Sequence, residues 1–219
     1  MYIVDVYSAI QEGHSRTEIE TGISEFCEEI YEEMSEDETL WVFAPNQYST
    51  DGCWPVGMSL AESIRAESPL VLKNIISIHT EGGSGGNLRP VYEEILFLVK
   101  DKREYKFNKD AIRVEHVYKG NEWGGERETG SSAYHDTEVR RYNPEGKDPG
   151  NVWITEVRDE TPNEEVDESL PFDRYEAFRR CIRAGSNEGE TVFTVGANGS
   201  TESIIDEEGR NHEVLEVNF

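Results

Sequence analysis

Basic residues are scarce in this chain of 219 residues: 21 lysines and arginines stand against 46 aspartates and glutamates, a formal charge of −25. That imbalance excludes a surface that holds phosphates by general attraction, so nucleic acid can be met only through a local basic patch. Cysteine is scarce too. Cys27, Cys53 and Cys181 lie far apart and in no ligand spacing, which favours free thiols in a reducing compartment over a disulfide framework. His14, His79, His116, His135 and His212 share no zinc spacing, so no metal site is expected, and no Ser, His and Asp set suggests a hydrolase. No apolar run approaches the length of a membrane span, and Met1 leads directly into the β-rich stretch Tyr2–Tyr7 without a signal peptide. A soluble, cytoplasmic protein is expected, with no membrane partner.

The chain is nonetheless no acidic tail. Four Trp, ten Tyr and eight Phe, together with well-formed apolar runs, provide for a folded core. Arginines outnumber lysines, and the acidic, lysine-poor surface suits a halophilic source, where salt shortens the reach of like-charge repulsion.

Hydrophobic periodicity gives the order of elements. Residues 2–8 read as a buried strand. Ile19, Ile23, Phe26, Ile30 and Met34 recur at spacings of three and four, one face of a helix over 18–34. Thr39–Ala44 is a second buried strand, 59–66 a short helix, 75–80 a third strand and 94–100 a fourth. Gly82–Gly86 reads as a linker, since no lysine–threonine pair or helix follows to make it a phosphate loop. From 106 to 168 the periodicity fades, with Val152-Trp153-Ile154 as its one apolar anchor, the mark of an insertion. The expected fold is α/β, a mainly parallel twisted sheet with helices on both faces. Val4, Val42, Ile76, Leu96, Val192 and Leu215 are expected in its core.

The C-terminal fifty residues are the most informative. A helix over 175–184 leads through Ser186-Asn187-Glu188-Gly189 to the strand Thr191–Val195. The small-residue loop Gly196-Ala197-Asn198-Gly199-Ser200-Thr201 follows, then a short helix and an apolar run carrying Glu216. Strand, glycine loop, helix, strand and acid form half of a mononucleotide-binding unit: glycines admit a ligand to the backbone, and an acid accepts from ribose hydroxyls. The loop lacks the full dinucleotide fingerprint, so an ordinary tight turn stays open as its reading.

Nearly the whole chain resembles the beta class of DNA amino-methyltransferases, which carry a methyl from S-adenosylmethionine to an exocyclic amino group. The resemblance rests on Arg89–Asn108, on Pro149–Ile154 as the tryptophan anchor after a recognition insertion, on Leu170–Glu190, and on Glu216 with Asn218. It implies a Rossmann-like methyltransferase fold in three parts: a catalytic half (1–105), a recognition-type insertion (106–168) and a cofactor half (169–219). Two motifs depart from the family. Asp5-Val6-Tyr7-Ser8 stands where the family has Asp-Pro-Pro-Tyr, and Thr194-Val195 precedes Gly196 where the family has Asp-Pro-Phe.

By this resemblance Asp5 holds the target amine of adenine or cytosine, with capping of a neighbouring helix or a bond to a loop amide as its other reading, and Tyr7 stacks on the extruded base. Gly196, Ala197, Gly199, Ser200 and Glu216 hold S-adenosylmethionine. Arg140, Arg141 and Tyr142, the best basic and aromatic combination in the insertion, touch DNA. The clustered Lys100, Lys102, Arg103 and Lys106 offer either phosphate contact or pairing with nearby glutamates. The damaged motifs leave a second reading beside the enzyme: a pseudoenzyme of the same fold, serving as a binding or assembly component with a protein partner.

Overall fold

The computed structural model describes residues 1–49, 52–80, 88, 90–115, 122–124, 139–141, 143–154 and 172–219, with only the backbone given at 122–124 and 139–141. The first strand, β1 (Tyr2–Asp5), is buried throughout and shorter than expected. The chain turns into helix α1 (Val6–Gln11) because the Asp5 side chain accepts the Tyr7 amide and caps it. Tyr7 is therefore a helical residue, not a strand residue. Helix α2 (Arg16–Glu33) starts at a capping box in which the Ser15 and Glu18 side chains each bond the other's amide. The apolar run Leu40–Ala44 makes β2 (Thr39–Ala44) a strand buried on both faces. A hairpin of β3 (Gln47–Ser49) and β4 (Gly52–Trp54) follows, then α3 (Val56–Glu67).

Strand β5 (Val71–His79) begins four residues earlier than its apolar core suggests, and an irregularity between Leu72 and Asn74 absorbs the extra length. It pairs with β6 (Tyr92–Val99). Short strands β7 (Glu122–Gly124) and β8 (Val139–Arg141) pair with one another outside the main sheet, and β9 (Val152–Trp153) joins its edge. Helix α4 (Arg174–Gly185), β10 (Thr191–Val195), α5 (Gly199–Glu207) and β11 (Asn211–Val214) complete the described chain.

The seven-stranded sheet runs β11-β10-β1-β2-β6-β5-β9. Every neighbouring pair is parallel except the two that β6 makes, so β6 alone runs against the rest. Alternate residues feed two cores. Val4, Leu40, Val42 and Leu96 pack under α1, α2 and α3, while Ile3, Trp41, Phe43 and Ile95 pack under α4 and α5. On the second face Phe43 and Phe178 stack at 4.0 Å and Trp41 and Phe97 at 4.3 Å. Val4, Val42, Ile76, Leu96 and Val192 are buried as their positions in the runs predict. Leu215 is only partly buried, because β11 is an edge strand that ends one residue before it.

The sheet joins the two ends of the chain: Val4 stands beside Val195 on one side and Val42 on the other. The carboxyl ends of β11, β10, β1 and β2 consequently share one edge, where open α/β sheets place their ligands. Among the described residues no helix is long and apolar enough to cross a membrane.

Candidate active site

A cleft of about 840 Å³ opens at that carboxyl edge. Asp5 closes its floor from the end of β1, and Pro45 and Asn46 come from the end of β2. Tyr92 and Glu93 enter from β6, whose reversed direction brings its first residues to this edge. Phe172, Arg174, Tyr175 and Phe178 form the wall at the start of α4, and Asn198 and Thr201 form the end beside α5. Tyr7 and Tyr48 stand at the mouth, 46% and 43% exposed.

Asp5 is the centre of the polar contacts. It is 7% exposed, and its Oδ1 accepts two hydrogen bonds, from the Tyr7 amide at 3.0 Å and from Arg174 Nη2 at 2.7 Å. Its Oδ2 takes none among the described residues and stays open to the cleft. Arg174 also reaches Glu93, with Nη1 3.8 Å from Oε2. Its guanidinium lies over the rings of Tyr7 and Phe43, each at 5.5 Å, and of Phe178 at 5.8 Å. Burial raises the Asp5 carboxyl above its ordinary range, against the pull of Arg174 and the Tyr7 amide. Burial raises Glu93 likewise, Arg174 opposes it, and the nearby Asp5 adds to it. Two buried carboxyls share one cation.

The cleft also holds polar groups without partners. Both amide atoms of Asn46 and the Nε of Arg174 are buried and unbonded among the described residues. Such groups cost about 1–3 kcal/mol each when left unpaired. Outside the cleft, the Cys27 and Cys181 thiols are fully enclosed, and burial pushes Cys27 up to about 12, which leaves them unreactive.

The residues singled out from the sequence fare differently. Asp5 and Tyr7 line the cleft. Gly196 follows β10 directly, but its face is pressed against the Asp5 carbonyl oxygen and the Ser8 hydroxyl, and its φ is +71°. It joins the loop to the floor and does not line the cleft; Asn198 and Thr201 do. Gly199 has open space where a side chain would stand. The amide of Ser200 is already taken, with that of Thr201, by the Asn198 side chain that caps α5, at 3.0 and 3.1 Å. Ala197 is partly buried between them. Glu216 is exposed, two residues past β11, whose Val214 pairs with Thr194 just before the loop. Thr194 shares a hydrogen bond of 2.7 Å with His212.

Arg140 and Arg141 lie in β8, in register with Trp123 and Glu122; Tyr142 and Gly82–Gly86 lie outside the described residues. Of the later basic cluster, Lys100 donates to the Met34 carbonyl at 2.8 Å, and Lys106 pairs with Glu190 at 2.7 Å and Asp37 at 3.4 Å. Pairing with a glutamate therefore holds for Lys106, while Lys100 bonds a backbone carbonyl instead. Arg174, Glu93 and Asn46 were missed in the sequence. Asn46 follows an apolar run at a strand's carboxyl end, a position that the fold rule marks for ligands. Arg174 is a lone cation at a helix start, and only the folded chain reveals its partners.

Comparison with known proteins follows this geometry. The family model N6_N4_Mtase, a DNA methylase family, matches residues 5–211. DNA adenine methyltransferase YhdJ of Escherichia coli K12 is 33% identical over 138 residues, 58% of this chain and 41% of that protein's own length. In fold, the chain is similar to the PvuII DNA methyltransferase described as cytosine-N4-specific, with a TM-score of 0.64 and 9% identity over 98% of this chain and 74% of that one. It is similar also to a DNA modification methylase of Thermus thermophilus, TTHA0409, in its complex with S-adenosyl-L-methionine, with a TM-score of 0.57 and 14% identity over 98% and 79% of the two chains. The chain belongs to the N6/N4 DNA methylase family.

Proposed function

We propose that the protein transfers a methyl group from S-adenosylmethionine to an exocyclic amino group of adenine or cytosine in DNA. The observation that carries this reading is the half-free carboxylate of Asp5: one oxygen is tied down, and the other takes no hydrogen bond among the described residues, at the floor of a cleft of about 840 Å³ walled by aromatic rings. An extruded base stacks on Tyr7, and Oδ2 accepts a hydrogen bond from its amino group, which aligns the nitrogen lone pair for attack. As the nitrogen–methyl bond forms the sulfur–methyl bond breaks, S-adenosylhomocysteine is left as the thioether, and the proton shed by the nitrogen passes to water.

The chain's residues fit the cofactor. Gly199 leaves room for its amino-acid end, Gly196, Ala197 and Ser200 shape the loop, and Glu216, two residues past the neighbouring strand β11, is the acid offered to the ribose hydroxyls. When bound, S-adenosylmethionine supplies an electrophilic methyl on a sulfonium. Arg140, Arg141 and Tyr142, within an insertion over 106–168 between the catalytic half (1–105) and the cofactor half (169–219), meet the DNA.

A second reading, a fold kept for binding or assembly without turnover, is favoured by one observation. Asn198 already satisfies two of the amides that α5 would offer a ligand. Transfer of labelled methyl from S-adenosylmethionine to unmethylated DNA decides between the two. The enzyme reading expects incorporation by the wild type and at least a hundredfold loss in Asp5→Asn, about the scale of losing a positioned catalytic group. Absence of incorporation with folded protein and bound cofactor supports the second reading.

A further inference from the structure

Among the described residues Arg174 reaches both carboxylates on the cleft floor, Asp5 and Glu93. Asp5 and Glu93 sit on β1 and β6, two strands apart with β2 between them. Arg174 enters from α4 and spans the gap, 2.7 Å from Asp5 Oδ1 and 3.8 Å from Glu93 Oε2. Three rings fix the plane of its guanidinium. We propose that Arg174 is the positioning residue of the reaction, holding Asp5 so that Oδ2 alone meets the target amine, with Glu93 as its second anchor.

The proposal rests on the methyl-transfer reading above, and its chemistry follows from the contacts. A carboxylate free to rotate presents either oxygen, and a protonated one presents a donor where an acceptor is needed. Arg174 Nη2 and the Tyr7 amide both donate to Oδ1, which fixes the rotation and leaves one acceptor. Burial favours protonation of Asp5, the Asp5 charge raises its like-charged neighbour Glu93, and Arg174 opposes both shifts. The groups facing Asp5 are Arg174 from α4, Glu93 from β6 and Tyr7 from α1, with Tyr48, Tyr92 and Tyr175 around the rest of the cleft. None but Arg174 is a cation. A side chain that merely tethered α4 to the sheet would give no reason for the Asp5 titration to follow the charge at 174 and at 93 in opposite directions.

The test reads Asp5 directly in the ligand-free protein, by carbon NMR of labelled aspartate carboxyls over a pH series, with Asp5→Asn identifying the resonance. Arg174→Met should raise the Asp5 titration by about one pH unit or more, Glu93→Gln should lower it, and Arg174→Lys should fall between Met and wild type. In methyl transfer, the acid limb of kcat for Arg174→Met should move up by the same amount, with cofactor affinity unchanged. Should Arg174→Met fail to fold, Arg174→Lys and Glu93→Gln carry the same test with opposite signs. An Asp5 titration that ignores these substitutions, or a turning-over variant whose pH profile superimposes on the wild type, overturns the proposal alone. A wild type that binds cofactor and DNA yet transfers no methyl removes the parent reading, and the positioning role with it.

Discussion

Gly196 is packed against the carbonyl oxygen of Asp5 with no room between them for a β-carbon, so the loop after β10 and the end of β1 are in direct backbone contact. Strand pairing of Val4 with Val195 sets this contact up, and the left-handed φ of +71° at Gly196 completes it. The strand ends that the proposed reaction would use for acceptor and donor are thereby locked to one piece of sheet.

Gly196→Ala should therefore damage stability and function together. The positive φ alone costs about 1 kcal/mol for alanine, and the new methyl must also displace the Asp5 backbone or the Ser8 hydroxyl. We expect a total loss of about 2–3 kcal/mol, seen as a lower melting temperature, and weaker binding of S-adenosylhomocysteine. A variant with unchanged melting temperature and affinity would contradict this contact.

The charge of −25 predicts strong salt dependence of the fold. Among described residues most arginines already have acidic partners, as in Arg179 with Glu207 and Arg183 with Glu208, so the excess negative charge is left to repel itself. Raising potassium chloride from about 0.1 M, where the screening length is about 10 Å, to about 1 M, where it is about 3 Å, should raise the melting temperature steadily. A melting temperature independent of salt would remove the halophilic reading.

Much of this architecture was legible in the sequence, for reasons particular residues show. Thr191–Val195 matched to the residue because its apolar run is bounded by a Gly-Glu turn and a glycine. The 2–8 run did not, because Val6 and Ala9 are apolar for a helix face just as Tyr2 and Val4 are for a strand. Only the Asp5 cap separates them. At the site, Asp5 was visible as an acid at a strand end, whereas Glu93 lay hidden in an acid pair before an apolar strand. Arg174 belongs with Asp5 across 169 residues of chain, a separation that no local pattern carries.

The Lys106–Glu190 pair gives a pH signature. Burial raises the Glu190 carboxyl, but the bonds from Lys106 and Asn187 outweigh it and bring it down to about 2. A depressed carboxylate stabilises the fold above its unfolded range of about 4.3, and that contribution is lost as pH falls towards about 2. Lys106→Met should cost about 0.5 kcal/mol at neutral pH, discounted because the pair is partly exposed. The gap to wild type should then close on acidification, as read by denaturant unfolding; a gap that widens below pH ~4 would contradict the assignment.

If the insertion meets DNA through its arginines, Arg140→Glu with Arg141→Glu should weaken DNA binding about tenfold or more and flatten its dependence on salt. Cofactor affinity should stay unchanged. Equal DNA binding by the double variant, measured by fluorescence anisotropy over a salt series, would place the contact elsewhere.

The central claim, that this chain keeps a working cofactor site beside Asp5, is tested most directly by calorimetry with S-adenosylhomocysteine in molar salt. The account predicts heat that fits one site per chain with micromolar or tighter affinity, lost in Gly196→Ala and kept in Asp5→Asn. No heat at millimolar ligand, from protein shown to be folded, would contradict it.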